Sequence, residues 1–108
     1  MSQEEKIKFL IKTILEELHI ELKDIYIFGS RARGDFCNQS DYDIFVVIKE
    51  LNEGCTKKQI WWLLYSKIHK DFTDTPFDII VKTEKEFENR KKIANTISNE
   101  VLVEGIKL

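Results

Sequence analysis

Ile25-Tyr26-Ile27-Phe28-Gly29-Ser30-Arg31-Ala32-Arg33-Gly34-Asp35 runs through Phe36-Cys37-Asn38-Gln39-Ser40 into Asp41-Tyr42-Asp43-Ile44-Phe45-Val46-Val47-Ile48. The first apolar run, 25–28, is rich in Ile and aromatics and reads as a buried strand that stops at Gly-Ser. Gly29 permits a tight turn and lets backbone N–H groups face a ligand with no side chain in the way. Ser30 can cap a short helix through Ala32 or Arg33, which leaves free amides at its start. Such a start favours an anion, and phosphate is the usual one.

The second run, 41–48, also reads as a strand. Side chains alternate faces along a strand, so Asp41 and Asp43 point the same way. Their Cα atoms are then roughly 6.5 Å apart at strand rise. Two carboxylates on one face repel, and a cation is the natural compensation. Magnesium suits an oxygen-only site that leaves room for waters and substrate phosphates. A phosphate cradle beside a carboxylate pair points to metal-assisted phosphoryl or nucleotidyl transfer.

Gly-Ser, ten residues, then Asp-x-Asp resembles the signature of the polymerase-beta-like nucleotidyltransferases. The fuller Gly29-Ser30-Arg31-Ala32-Arg33-Gly34, in a short chain, resembles the minimal nucleotidyltransferase (MNT) antitoxin family. The resemblance spans nearly the whole chain, but its specific part is the central block. It implies the nucleotidyltransferase palm, with a small mixed sheet of three to four strands flanked by helices.

Working outward, the 108 residues suit a single domain, 1–108, long enough for one core. With 43% hydrophobic and 33% charged residues the composition is that of a soluble globular domain. No apolar run is long enough to span a membrane, and the acidic start carries no signal-peptide pattern. Seventeen basic against nineteen acidic residues leave a net charge of −2, which argues against a dedicated nucleic-acid module. Cys37 and Cys55 have neither zinc nor disulfide-scaffold spacing and fit a reduced cytosol, so a cytoplasmic location is expected. His19 and His69 read as isolated surface residues of helices.

Ser2, Gln3, Glu4 and Glu5 form a capping-box pattern before Ile7, Leu10, Ile11, Ile14 and Leu18, which predict an amphipathic helix over 3–19. A loop around Gly54 precedes a second capping box, Thr56 with Gln59, and a helix to about residue 70. Phe77 to Val81 follows the lone Pro76 as a third strand. Thr83 and Glu86 cap a last helical region whose apolar side is Phe87, Ile93, Ala94, Ile97 and Val101, with a break near 89–91. The tail 102–108 reads equally as docked coil or short strand. Alternating helices and strands imply an α/β (α+β) layered fold.

Asp78 interrupts the apolar strand Phe77–Val81. A lone carboxylate in a buried strand is costly unless paired or metal-bound. If this strand lies beside the second, Asp78 reaches the site of Asp41 and Asp43. The resemblance implies that it is the third carboxylate, helping to activate the attacking hydroxyl.

Taken singly, these features have ordinary readings. Gly29-Ser30 is a turn, Asp41 and Asp43 are solvated residues opening a strand, and Asp78 is an edge carboxylate paired with a lysine. Arg31 and Arg33 are either solvated or serve triphosphate or partner binding, for which arginine's donor fork is suited. Trp61, Trp62 and Tyr65 read as core plus partial surface rather than a base-stacking platform. Ile60, Trp61 and Trp62 cannot all face one core, which leaves Trp62 for a protein interface. In combination the motifs predict a Mg²⁺-dependent enzyme that uses ATP, with Asp41, Asp43 and Asp78 catalytic and metal-binding, and Gly29, Ser30, Arg31 and Arg33 on the nucleotide. The resemblance implies a cognate HEPN-domain RNase toxin as partner, silenced by AMP transfer to a tyrosine. The Arg-x4–6-His motif of such toxins is absent, because no histidine follows His69. Alternatives are transfer to a small molecule or a tRNA end, or neutralisation by binding alone. A homo-oligomer and a hetero-oligomer are both compatible with so small a palm.

Overall fold

The computed structural model describes residues 3–28, 42–51, 54–72, 77–90, 101 and 105–108. The elements are α1 (Gln3–Glu17), β1 (Leu22–Phe28), β2 (Tyr42–Ile48), α2 (Lys57–Asp71), β3 (Phe77–Thr83), α3 (Glu84–Arg90) and β4 (Ile106–Lys107). The strands form one mixed sheet in the order β3-β2-β1-β4. β1 runs antiparallel to β2 and β4, while β2 and β3 are parallel and joined through α2. This is the expected α/β layering on a four-stranded mixed sheet.

Strict alternation splits the sheet into two faces. Ile25, Ile27, Ile44, Val46, Ile48, Ile79 and Val81 join Ile7, Ile11, Leu15, Ile60, Leu64 and Ile68 in the main core under α1 and α2. Phe28, Phe45 and Val47 point the other way and meet Phe87 of α3 and Val101. The periodicity of α1 is therefore correct at Ile7, Ile11 and Ile14, and Leu15 adds to the face. Among the described residues no helix is long and apolar enough to cross a membrane.

Both internal helix starts use the capping boxes expected from the sequence. Thr56 Oγ1 accepts from the Gln59 N–H at 3.2 Å, and Gln59 Oε1 accepts from the Thr56 N–H at 2.9 Å. Thr83 and Glu86 repeat the exchange at 3.2 and 3.0 Å. Ser2 of the first box lies outside the described residues, as do Pro76, Ile93, Ala94, Ile97 and the short helix expected after Ser30.

Three boundaries differ from expectation, the simplest being β3, which runs on to Thr83 instead of stopping at Val81. α1 ends at Glu17 rather than residue 19, because His19 takes a left-handed conformation with φ 58°. The His19 N–H donates to Glu16 O and the Ile20 N–H to Leu15 O, the Schellman closure of a helix end. His19 is thus on the surface as expected, but as the stop residue after α1 rather than a position within it. β1 begins at Leu22 rather than Ile25, since Leu22 and Asp24 pair with Ile48 and Val47 across a register shift. Within the tail, Ile106–Lys107 form the short strand β4. Gly105 is tight there, because a Cβ would collide with the Val101 carbonyl oxygen.

Candidate active site

Two of the three predicted carboxylates are described, and the sheet brings them together. Asp43 is the second residue of β2 and Asp78 the second of β3, and they are direct partners in the parallel pair. Lateral partners point to the same face, with Cα atoms about 4.8 Å apart at ordinary strand spacing. Asp43 is half-buried and Asp78 exposed. The burial cost expected for Asp78 therefore does not arise: Phe77 and Ile79 on either side of it enter the main core, and the carboxylate faces outward.

The aromatic residue before each acid sets its position. Tyr42 and Phe77 are also strand partners, and their rings stack at 5.5 Å and 14° beneath the sheet. Phe77 lies edge-on to Phe72 and His69, and His69 continues through Tyr65 to Trp61. The Trp61 indole N–H donates to Ile79 O at 2.8 Å, which binds α2 to β3 one residue beyond Asp78. Tyr42 Oη reaches Glu4 of α1 at 3.3 Å. Sequence reasoning missed the positioning role of Tyr42 and Phe77. The available signal was that each acid follows an aromatic residue, so burying the ring on one face turns the acid to the other. His69, expected on the surface, is half-buried in this aromatic row.

Phe28, the last residue of β1, is the other strand partner of Asp43. Its ring meets Phe45 edge-on at 6.3 Å, giving an apolar floor beside the acids. β1 therefore ends, and β2 begins, at the level of the carboxylate pair. Gly29, Ser30, Arg31, Arg33 and Asp41 fall between these strands in the sequence and lie outside the described residues. Among the described residues no group of three acidic, His or Cys side chains is assembled for a metal ion. The pair itself offers hard oxygen donors on a solvent-facing strand end, a donor set that fits magnesium with several retained waters.

A family model described as Polymerase beta, Nucleotidyltransferase matches residues 10–105. A Methanocaldococcus jannaschii protein, MJ0604, named as a candidate protein adenylyltransferase, is 38% identical over 47 residues, covering 44% of this chain and 47% of its own length. The aligned stretch is about half the length of the curated relatives matched. A crystal structure of a toxin-antitoxin with AMP-PNP superimposes with a TM-score of 0.59 at 21% identity, covering 91% of this chain and 68% of that one. A structure of the toxin-antitoxin MntA-HpeT gives 0.61 at 22% identity, covering 100% and 72%. At these identities the solved structures speak to the fold, and the family match covers most of the chain. The sheet that seats Asp43 beside Asp78 is thus a nucleotidyltransferase sheet, and the chain belongs to the polymerase beta nucleotidyltransferase family.

Proposed function

We propose that this chain, as one minimal domain, transfers AMP from ATP to a tyrosine hydroxyl of a HEPN-type RNase toxin and so acts as its antitoxin in the cytoplasm. The observation that carries the proposal is the register of Asp43 with Asp78 at the end of the sheet where β1 gives way to Gly29-Ser30. Support for protein as acceptor comes from the named activity of the M. jannaschii relative. Support for a toxin partner and an adenine nucleotide comes from the toxin-antitoxin structures, one of them holding AMP-PNP.

Gly29 and Ser30 bind the β- and γ-phosphates through backbone amides, and Arg31 and Arg33 add positive charge. Asp41, Asp43 and Asp78 would hold Mg²⁺. When bound, the ion supplies neutralisation of charge on the phosphates and acidifies the attacking hydroxyl. Asp78, the more exposed acid, orients the acceptor hydroxyl. The acceptor hydroxyl passes its proton to the Asp78 carboxylate as its oxygen forms a bond to the α-phosphorus, the bond to the bridging oxygen breaks, and pyrophosphate leaves with that electron pair. No side chain becomes covalently modified, and the chain contributes positioning and charge.

The test is to mix the purified chain with its neighbouring toxin and ATP and to weigh the toxin intact. A gain of one or more AMP units, lost with Asp43→Asn, is expected. An unmodified toxin, with pyrophosphate released instead on a small-molecule or tRNA acceptor, would overturn the assignment of the substrate.

A further inference from the structure

Asp43 and Asp78 are partners, but their strands are not equally supported. Among the described residues β2 has a strand on each side, β1 and β3, whereas β3 pairs with β2 alone. The backbone around Asp43 is therefore held from two directions and that around Asp78 from one. An edge strand has ladder hydrogen bonds on a single side, so its position depends more on what else it touches.

The second support of β3 comes from α2. Trp61, Tyr65 and His69 recur every four residues and line one stripe of the helix, beside the buried stripe of Ile60, Leu64 and Ile68. The Trp61 indole N–H donates to the Ile79 carbonyl at 2.8 Å. Its ring stacks on Tyr65 at 4.9 Å and 19°, Tyr65 meets His69 at 4.3 Å, and His69 stands edge-on to Phe77. Asp78 sits between the two points of attachment, the Phe77 ring before it and the Ile79 carbonyl after it. Trp61 is half-buried, and Ile60, Leu64 and Ile68 beside it are fully buried in the core. What distinguishes the indole from a smaller apolar ring at this position is its N–H, and that N–H is on β3.

We infer that Trp61 is a positioning residue: its indole, braced by Tyr65, holds the edge strand at Ile79 and so keeps the Asp78 carboxylate opposite Asp43, where both can serve one divalent ion. The inference rests on the proposed place of Asp78 among the acids that would hold the ion, but not on the identity of the acceptor. Groups one step behind such ligands ordinarily matter by about 10–100-fold in metal affinity or activity.

Mn²⁺ is the probe, titrated in the presence of AMP-PNP and read by electron paramagnetic resonance, with no acceptor and no turnover. Trp61→Phe keeps a ring in the stack and removes the N–H. It should weaken Mn²⁺ binding about tenfold and leave the circular dichroism unchanged. Asp78→Asn should also weaken binding, and adding Trp61→Phe to it should cost nothing further, because Trp61 acts through that carboxylate. In AMP transfer at saturating Mg²⁺, Trp61→Phe should lower kcat about tenfold and leave KM for ATP within about twofold. Tyr65→Leu removes the brace but leaves the indole in place. It should show the same pattern in weaker form, and it serves as the test if Trp61→Phe does not fold. Mn²⁺ affinity untouched by both variants overturns the inference, as do effects of Trp61→Phe and Asp78→Asn that simply add. Full Mn²⁺ affinity in Asp78→Asn overturns it together with the place of Asp78 in the site. A non-additive cycle beside an unmodified toxin upholds the role of Trp61 and refutes the acceptor alone.

Discussion

Ile44 and Asp43 are neighbours on one strand, yet they answer to opposite faces of the sheet. Under Ile44 the sheet is apolar from β3 to β1 and sealed by two fifteen-residue helices. On the side of Asp43 the described apolar cluster is Phe28, Phe45, Val47, Phe87 and Val101, and it reaches the strand end where the two acids stand through Phe28, the strand partner of Asp43. The sealed face supplies the folding energy. The open face holds a like-charged pair that a domain selected for stability alone would avoid. Under the proposed function, the chemistry falls on residues that the core can do without.

Breaking the sealed face should cost most. Ile44 is fully buried, so Ile44→Ala should lower unfolding free energy by about 2–5 kcal/mol in a urea titration followed by circular dichroism. On the open face, Asp43→Asn should cut AMP transfer by about 10²–10³, while the urea midpoint moves little. A large loss of stability in Asp43→Asn would mean that the acid is structural and would erase the contrast. Labelled ATP transfer and the urea titration on the same two proteins decide it.

The sequence was most informative where structure is local. The capping exchanges at Thr56–Gln59 and Thr83–Glu86 need only four residues each, and both formed as read. The alternation of β2 and β3 is likewise local, and it fixed which side each acid takes. The register that seats Asp43 opposite Asp78 is not local. It depends on a parallel pairing across a fifteen-residue helix, and the sequence yields it only on the condition that the two strands are neighbours. The early start of β1 was hidden because Leu22, Lys23 and Asp24 look like loop until Ile48 and Val47 pair with them. β4 has two residues and no pattern of its own, so its place beside Tyr26 and Ile27 comes from the sheet edge it covers.

The end of α1 was hidden for another reason: a left-handed stop usually announces itself as glycine, and here it is His19. A side chain at φ 58° carries strain that glycine lacks. His19→Gly should therefore stabilise the sealed face's helix by about 1 kcal/mol, seen as a rise in melting temperature with no change in transfer rate. A fall in melting temperature would show that the imidazole contributes contacts worth more than the strain.

The smallest expected effect belongs to the helix over the open face. Burial would raise the Glu86 carboxyl, but the Lys57 ammonium 2.6 Å away and the hydrogen bonds from Thr83 outweigh it and hold it below the usual 4.5. A lowered folded value means that the carboxylate's contribution is complete above about pH 4.5 and is lost as pH falls through the lower folded value. Lys57 and Glu86 each keep more than a third of their side chains in solvent, so screening limits the effect to under about 1 kcal/mol. Glu86→Gln separates charge from capping, because glutamine can still accept from the Thr83 N–H. Melting curves from pH 7 to pH 3 should show the wild type losing a small advantage over Glu86→Gln in the acid range. Parallel curves would place the stabilisation in the capping hydrogen bonds, and the ion pair would then be a bystander at the joint between α2 and α3.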